Sequence, residues 1–269
     1  KDTLWMVSHA LLAQTPVWVG WNSALTVDTM PRQSIGYMAN LNMSPTRLDV
    51  VAETMRISQK LAKECGESHV LVHYDLAIAK PALQIQFTDS PAFDNVFVGF
   101  GAFHIDLAYF AVLGHMLSES GGPQVLIDTE VLASGSLNGF LSGKHYNRCK
   151  RLHPILSLAI RTLHFQSFLD SQVEVPDSFM TQLKHIHDNP SPDAYAEFER
   201  SDVFVKVMQM YEEYSEQTRS GQHGATAQYW ILYSDLVQVY LLFSRATRTN
   251  DLDLFIYSLE YIGHIQIII

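Results

Sequence analysis

Cysteine is scarce in this chain, which contains only Cys65 and Cys149. Two cysteines are too few for a disulfide framework, and this pair lacks the close spacing of a zinc site. Their scarcity therefore argues against a small secreted scaffold stabilised by disulfides. We expect a reducing compartment, with the protein inside the cell, in the nucleus or the cytoplasm.

Long apolar runs and excess positive charge are also absent. No run approaches the roughly 18 residues that cross a bilayer, so we expect no membrane contact. Charged residues make up only 17% of the chain, and the formal net charge is −10. This balance excludes a surface that is basic all over, so any contact with nucleic acid must come from a local patch.

Apolar residues, by contrast, are plentiful. They form 47% of the 269 residues, which is enough for a sizeable core and places the chain outside the disordered range. The pattern of elements predicts an α/β core over residues 1–116. Residues 117–269 read as a helical insertion followed by a helical C-terminal region.

The prediction of an α/β core depends on four strand-like segments. Residues 17–25 and 34–41 are rich in β-formers and flank a turn signal at Pro31, which predicts a hairpin. Residues 69–75 and 95–100 are continuous apolar runs, typical of strands buried on both faces. A helix is predicted after each of these two runs, so they should pair in parallel through a right-handed crossover.

The remaining predicted elements are almost all helical. Helices are expected at 47–65, 78–87, 101–116, 136–142, 146–169, 176–187, 192–219, 225–247 and 251–262, with a short strand at 125–127. Residues 188–192 are the clearest linker.

A repeated His-x-Asp pattern is the most suggestive chemical signal. His73 and Asp75 end one predicted parallel strand, and His104 and Asp106 follow the next. Ligands collect at the carboxyl ends of such strands, and carboxylates there suit Mg²⁺. We predict a metal site from Asp75, His104 and Asp106. Two alternatives stay open: the aspartates cap the following helices, or all four side chains converge in a metal hydrolase.

Two further features are candidates. Lys144, Arg148, Lys150 and Arg151 are the densest positive run, and on a helix residues 144, 148 and 151 would share one face able to meet phosphates. The alternative is a solvated face that pairs with nearby acids. Asp235 lies among aromatic and aliphatic residues, where a buried carboxylate needs a partner such as Arg245, Arg248 or a metal; the alternative is that its side chain is exposed.

Several stretches resemble a known group of proteins. Residues 74–77 (YDLA) and 97–104 (FVGFGAFH) look like the middle of an RNase H-fold transposase of the Mutator-like and hAT-like kind. Residues 138–148 and 245–254 are similar to transposon-derived, multicopy proteins of animal genomes. The resemblance runs from about residue 17 to residue 263. It implies an RNase H-like mixed sheet flanked by helices.

The resemblance also implies roles for individual residues. Asp75 matches the second catalytic acid of that fold, and His104 resembles the histidine on the next strand. The first acid is missing at residues 21–23 (WNS), so Asp28 is its candidate, and Asp235 is the candidate for the third. An active enzyme would cut and join DNA strands with Mg²⁺ held by such carboxylates.

Three functions therefore stay open at this stage. The first is a transposase-derived domain that is catalytically impaired and binds nucleic acid or a protein partner. The second is an active, metal-dependent transposase, and the third is a purely structural or interaction domain. A homo-oligomer is compatible with each of them.

Overall fold

The structure is a computed structural model, and it describes residues 2–12, 14–25, 35–38, 40–171 and 174–268. Thirteen α-helices and two β-strands lie in these residues. Their bounds are α1 Asp2–Leu11, α2 Trp18–Leu25, α3 Leu48–Glu64, β1 Val70–Tyr74, α4 Leu76–Thr88, β2 Val96–Phe100, α5 Ala102–Ser118, α6 Gly122–Asp128, α7 Leu137–Leu141, α8 Tyr146–Asp170, α9 Asp177–Asp188, α10 Pro192–Glu199, α11 Asp202–Arg219, α12 Ala225–Thr249 and α13 Leu252–Ile268.

The chain divides into two compact units, and the division falls within α5. The helical unit contains residues 1–31 and 109–269, and the α/β unit contains residues 32–108. Compact units and domains need not coincide, so the predicted boundary between residues 116 and 117 stays a prediction. Among the described helices, none is both long and apolar enough to cross a membrane.

The prediction of an RNase H-like mixed sheet flanked by helices is wrong. The structure is 72% helical, and the strands found in the described residues are two parallel ones in a single small sheet. The predicted hairpin strand at residues 17–25 is helix α2 instead. Trp18, Trp21 and Leu25 are buried, at helical spacing, whereas Val17 and Val19 are exposed. Burial of this one face outweighs the β-propensity of the individual residues.

Other strand predictions fail as well. Residues 35–38 and 40–41 contain no strand, and the turn predicted at Pro31 lies outside the described residues. Residues 125–127 belong to helix α6, which follows Gly121 in a left-handed conformation and has Pro123 in its first turn. Proline suits that position because the first turn of a helix leaves its N–H groups unbonded. Residues 192–219 form two helices, because Ser201 starts a second one by capping the N–H of Phe204.

The parallel pair of strands is confirmed. β1 and β2 pair in register, with Val70 opposite Val96 and Tyr74 opposite Phe100. One face of this sheet packs against buried side chains of α3 and α4, among them Met55, Ala79 and Ala82. The other face is open, since Leu71 and Phe97 oppose each other and are 54% and 57% exposed. The prediction that these strands are buried on both faces is therefore wrong.

The core of the helical unit is organised by α8. The buried side chains of this helix recur at every fourth position over most of its length: Cys149, His153, Ser157, Arg161 and Phe165. We call these five residues the α8 stripe. Three of its members are polar, and each finds a partner on α12. Buried polar groups need such partners because their desolvation is costly.

The stripe contacts α12 in a regular order. His153 Nδ1 lies 2.7 Å from the hydroxyl of Tyr233, and the hydroxyls of Ser157 and Ser234 are 2.6 Å apart. Arg161 donates from Nε to Ser234 Oγ over 3.1 Å and also pairs with Asp235. These bonds gather on the consecutive residues 233–235 of α12, so they fix the place at which α12 contacts α8.

His153 is fully buried between aromatic rings. The ring centroids of Phe110 and Phe140 lie 5.7 Å and 4.7 Å from its own, in stacked arrangements. Burial lowers the pKa of His153 to about 3, so the imidazole is neutral in the folded chain near neutral pH.

This burial predicts that stability falls in mild acid. The unfolded imidazole takes up a proton near pH 6.5, whereas the folded one stays neutral down to about pH 3. The contribution of His153 is therefore complete above pH 6.5 and is lost as the pH falls, by about 1.4 kcal/mol per pH unit. Urea unfolding followed by tryptophan fluorescence between pH 7 and pH 5 measures the slope.

The variant His153→Phe should show a flatter dependence than the wild type, whatever its absolute stability, since it lacks the titrating group. His115→Phe changes an exposed histidine of the same unit and should keep the wild-type slope. Equal slopes for wild type and His153→Phe would show that residue 153 does not titrate on unfolding.

Candidate functional site

The carboxyl ends of β1 and β2 bring Asp75 and His104 together, as the parallel pairing predicts. Asp75 follows β1, and His104 lies in the first turn of α5, just after β2. Asp75 Oδ2 is 2.9 Å from His104 Nε2, and both side chains are partly exposed. We call this edge of the sheet, where both strands end, the rim. A backbone hydrogen bond joins its two strands, because the N–H of Gly101 donates to the carbonyl of Tyr74.

Asp75 has a second role in the same place. Its Oδ1 accepts the backbone N–H of Ala77 over 2.7 Å, so the residue is the N-cap of α4. The capping alternative considered for Asp75 is therefore confirmed. One carboxylate oxygen serves the helix start and the other faces the imidazole of His104, which leaves neither oxygen dedicated to a metal ion.

His73 lies on the exposed face of β1 and contacts β2 rather than Asp75. Its Nδ1 is 3.1 Å from the carbonyl oxygen of Phe100, so Nδ1 carries the proton and donates it. Gly99 makes room for this ring, because a Cβ there would lie 2.9 Å from His73 Nδ1. The role of this histidine is to join the two strands.

Asp106 does not cap α5, contrary to one of the alternatives, since it lies inside the helix and is buried. Within the described parts of the chain, no three His, Cys, Asp or Glu side chains are grouped so that they could hold a metal ion. The pair of Asp75 and His104 supplies one carboxylate and one imidazole, whereas Mg²⁺ is usually held by oxygen ligands, namely one or two carboxylates together with waters and phosphates. The magnesium site and the catalytic roles remain predictions, and Asp28 lies outside the described residues.

Asp235 is an ion-pair residue of the helical unit, so it belongs to a different compact unit from Asp75. Its partners are Arg161 of the α8 stripe and Arg219 of α11, whose Nε lies 2.8 Å from Asp235 Oδ2. This hydrogen bond raises the pKa of Arg219. The expectation of Arg245 as partner is wrong, because Arg245 pairs with Asp2 and hydrogen-bonds Asn22.

The predicted basic residues lie around the start of α8. Lys144 precedes this helix, which begins at Tyr146, so the proposed helical face contains Arg148 and Arg151 but not Lys144. Lys144, Arg148 and Arg151 are exposed, and the ammonium of Lys150 lies 5.4 Å from the centroid of the Tyr146 ring. Arg148 donates to His145 Nδ1 over 3.1 Å. We call these four cationic residues the basic segment.

The basic segment makes no ion pair with any residue that the structure describes. Arg161, Arg219 and Arg245 of the helical unit each contact at least one carboxylate. Arg200 and Arg248 resemble the basic segment, since neither forms an ion pair with a described residue, and they contact the carbonyl of Ala196 and the ring of Trp18. The alternative of a solvated face paired with nearby acids is therefore not what the described residues show.

Sequence reasoning missed Arg161 and Arg219. Both carry buried or half-buried charge, but their partner Asp235 lies 74 and 16 positions away in the chain. No local motif joins them. The one usable signal was the four-residue spacing of the α8 stripe, which places Arg161 on the same helix face as Phe165.

The double role of Asp75 predicts a specific pattern of substitutions. Asp75→Ala should destabilise the start of α4 by about 1 kcal/mol because the N-cap is lost. Asp75→Ser keeps a capping oxygen without the charge and should stay close to the wild type. Amide hydrogen exchange in the first turn of α4 measures both. A serine variant as unprotected as the alanine variant would mean that the negative charge, rather than the cap, matters.

Comparison with known families gives a match over most of the chain. Residues 17–262 match the model of a family described as Domain of unknown function (DUF8702). No match was found among curated proteins, and none among solved structures. The match spans most of the chain, including both compact units. The chain therefore belongs to the DUF8702 family.

Proposed function

We propose that the chain is a transposon-derived, nucleic-acid-binding domain that has lost strand-cleaving chemistry. The observation that carries this proposal is the basic segment, whose cations are without acidic partners among the described residues. Exposed arginine and lysine side chains that are free of carboxylates can neutralise backbone phosphates and release their counterions. The segment is local, as the net charge of −10 requires.

The geometry of the segment suits a phosphate backbone better than a single anion. Arg148 and Arg151 lie one helical turn apart on α8, and Lys144 extends the positive charge beyond the helix start. The guanidinium group of arginine binds phosphate oxygens through bidentate hydrogen bonds, whereas the ammonium group of lysine acts as a point charge. Contacts of this kind position a duplex and read no sequence.

The loss of catalysis is supported by the use that Asp75 already has. Both of its oxygens are engaged, one with the backbone of α4 and one with His104. Two-metal chemistry needs several carboxylates that bridge the ions.

Both cysteines fit an intracellular location, which is part of this proposal. Cys65 is an exposed free thiol, and Cys149 is a buried one whose pKa is raised by burial to about 11. An exposed thiol persists in a reducing compartment, and a buried thiol of high pKa is unreactive.

Binding to a fluorescein-labelled DNA duplex, followed by anisotropy between 50 and 200 mM salt, tests the proposal. We expect binding that weakens steeply with salt, since each phosphate contact contributes about 0.9 to the slope of log affinity against log salt. Replacing Lys144, Arg148 and Arg151 by alanine should reduce this slope by about 2 to 3.

The matched control replaces three other exposed cations of the helical unit, Lys184, Arg200 and Lys206, by alanine. It changes the net charge by the same amount and should leave the slope unchanged. If both triple variants lose affinity equally, the attraction is a property of the total charge and the basic segment is not a site.

A plasmid-nicking assay tests the loss of catalysis. With Mg²⁺ or Mn²⁺, the wild-type chain should nick supercoiled DNA no faster than Asp75→Ala, because Asp75 holds no metal in a productive site. Metal-dependent nicking that disappears in Asp75→Ala would establish an active enzyme and refute this part of the proposal.

A further inference from the structure

The helical unit contains a pocket that the proposed function does not use. Its volume is about 440 Å³, which lies in the range of sites for small molecules. Four helices and one loop surround it, and all belong to the same compact unit. The walls come from α6, α8, α11 and α12, and His223 lies in the loop between α11 and α12.

The pocket is lined mainly by apolar and aromatic side chains. Leu156, Ile160 and Leu163 of α8 form one wall, and Trp230 and Ile231 of α12 form another. Leu163 is 64% exposed, so the pocket opens to solvent on its side. An apolar cavity with an open mouth and an indole in its wall favours a flat, largely apolar molecule.

A chain of hydrogen bonds connects the polar groups of the pocket. His164 Nδ1 lies 2.9 Å from the Tyr211 hydroxyl, and His164 Nε2 lies 2.9 Å from Thr218 Oγ1. Thr218 Oγ1 is in turn 2.8 Å from His223 Nδ1 and donates its own proton to the carbonyl of Tyr214.

The direction of each bond in this chain follows from the Thr218 hydroxyl. It has one proton, which the carbonyl of Tyr214 accepts, so both histidine nitrogens must donate to its oxygen. His164 is neutral near pH 7, because burial and then the charge of Arg161 lower its pKa to about 4. With its proton on Nε2, its bare Nδ1 accepts the hydroxyl proton of Tyr211.

His223 is the last residue of this series of hydrogen bonds, and its second ring nitrogen can act as an acceptor. Since Nδ1 donates to Thr218, Nε2 is the ring nitrogen that is left to accept a hydrogen bond from a ligand. No described residue forms a hydrogen bond with that nitrogen, and the ring contributes to the lining of the pocket. The ring is held in place by Tyr214, whose centroid lies 4.3 Å away.

We propose that this pocket binds a small aromatic molecule that carries a hydroxyl group, with the hydroxyl donating its proton to His223 Nε2. The apolar walls accommodate the ring system, and the fixed proton order from Tyr211 to His223 selects a donor over an acceptor. The site is separate from the basic segment, which lies at the start of α8, and its test does not depend on nucleic acid.

Isothermal titration calorimetry with two matched probes tests this inference on the full chain. 2-Naphthol carries the hydroxyl donor, and 2-methoxynaphthalene has the same ring system without a donor. We expect wild type to bind 2-naphthol about 2- to 10-fold more tightly, the usual gain from one hydrogen bond. Ala227→Trp, which fills the pocket from α12, should weaken both probes by about 10-fold or more.

His223→Phe provides the decisive variant, because it removes both ring nitrogens, and with them the bond to Thr218, while it keeps a ring beside Tyr214 in an exposed loop. It should abolish the preference for 2-naphthol and leave the affinity for 2-methoxynaphthalene unchanged. His185→Phe changes an exposed histidine outside the pocket and should keep the preference. Equal affinities of the two probes for wild type, or binding that Ala227→Trp does not weaken, would overturn the inference.

Discussion

The contact between α8 and α12 depends on one physical constraint: polar groups that leave water must find partners. The α8 stripe buries an imidazole, a hydroxyl and a guanidinium on a single helix face, and each of them bonds to α12. Sliding one helix along the other would leave several of these groups unpaired at once. Apolar packing alone tolerates many registers, whereas a buried row of polar pairs favours one.

Helix α8 carries three different groups of side chains on different sides. Its first turns carry Arg148, Lys150 and Arg151 of the basic segment, and its buried face holds the bonds to α12. A third side of the same helix forms a wall of the apolar pocket through Leu156, Ile160 and Leu163. The proposed phosphate site at the start of the helix and the proposed ligand site at its middle therefore use different side chains of one element.

The α/β unit is held together at its strand ends by hydrogen bonds. Two parallel strands and their crossover helix bring Asp75 and His104 to the same rim, although they are far apart in sequence. The rim is built largely by hydrogen bonds within the fold, from the α4 cap to the bond between Gly101 and Tyr74. A carboxylate used in this way holds a strand end and a helix start together, which explains its position without a metal ion.

Local pattern determined much of this protein. The spacing of apolar residues located most of the helices, and the two apolar runs followed by helices gave the parallel pairing and the meeting of Asp75 with His104. These features depend on interactions between near neighbours and on the handedness of the chain, both of which are written in a short window of sequence. Tertiary structure decided the rest. Residues 17–25 form a helix because burial of Trp18, Trp21 and Leu25 outweighs their β-propensity. Asp235 pairs with Arg161 and Arg219 because α8 and α11 pack beside α12. Partners from separate helices meet only after the core has formed, so no local pattern could identify them.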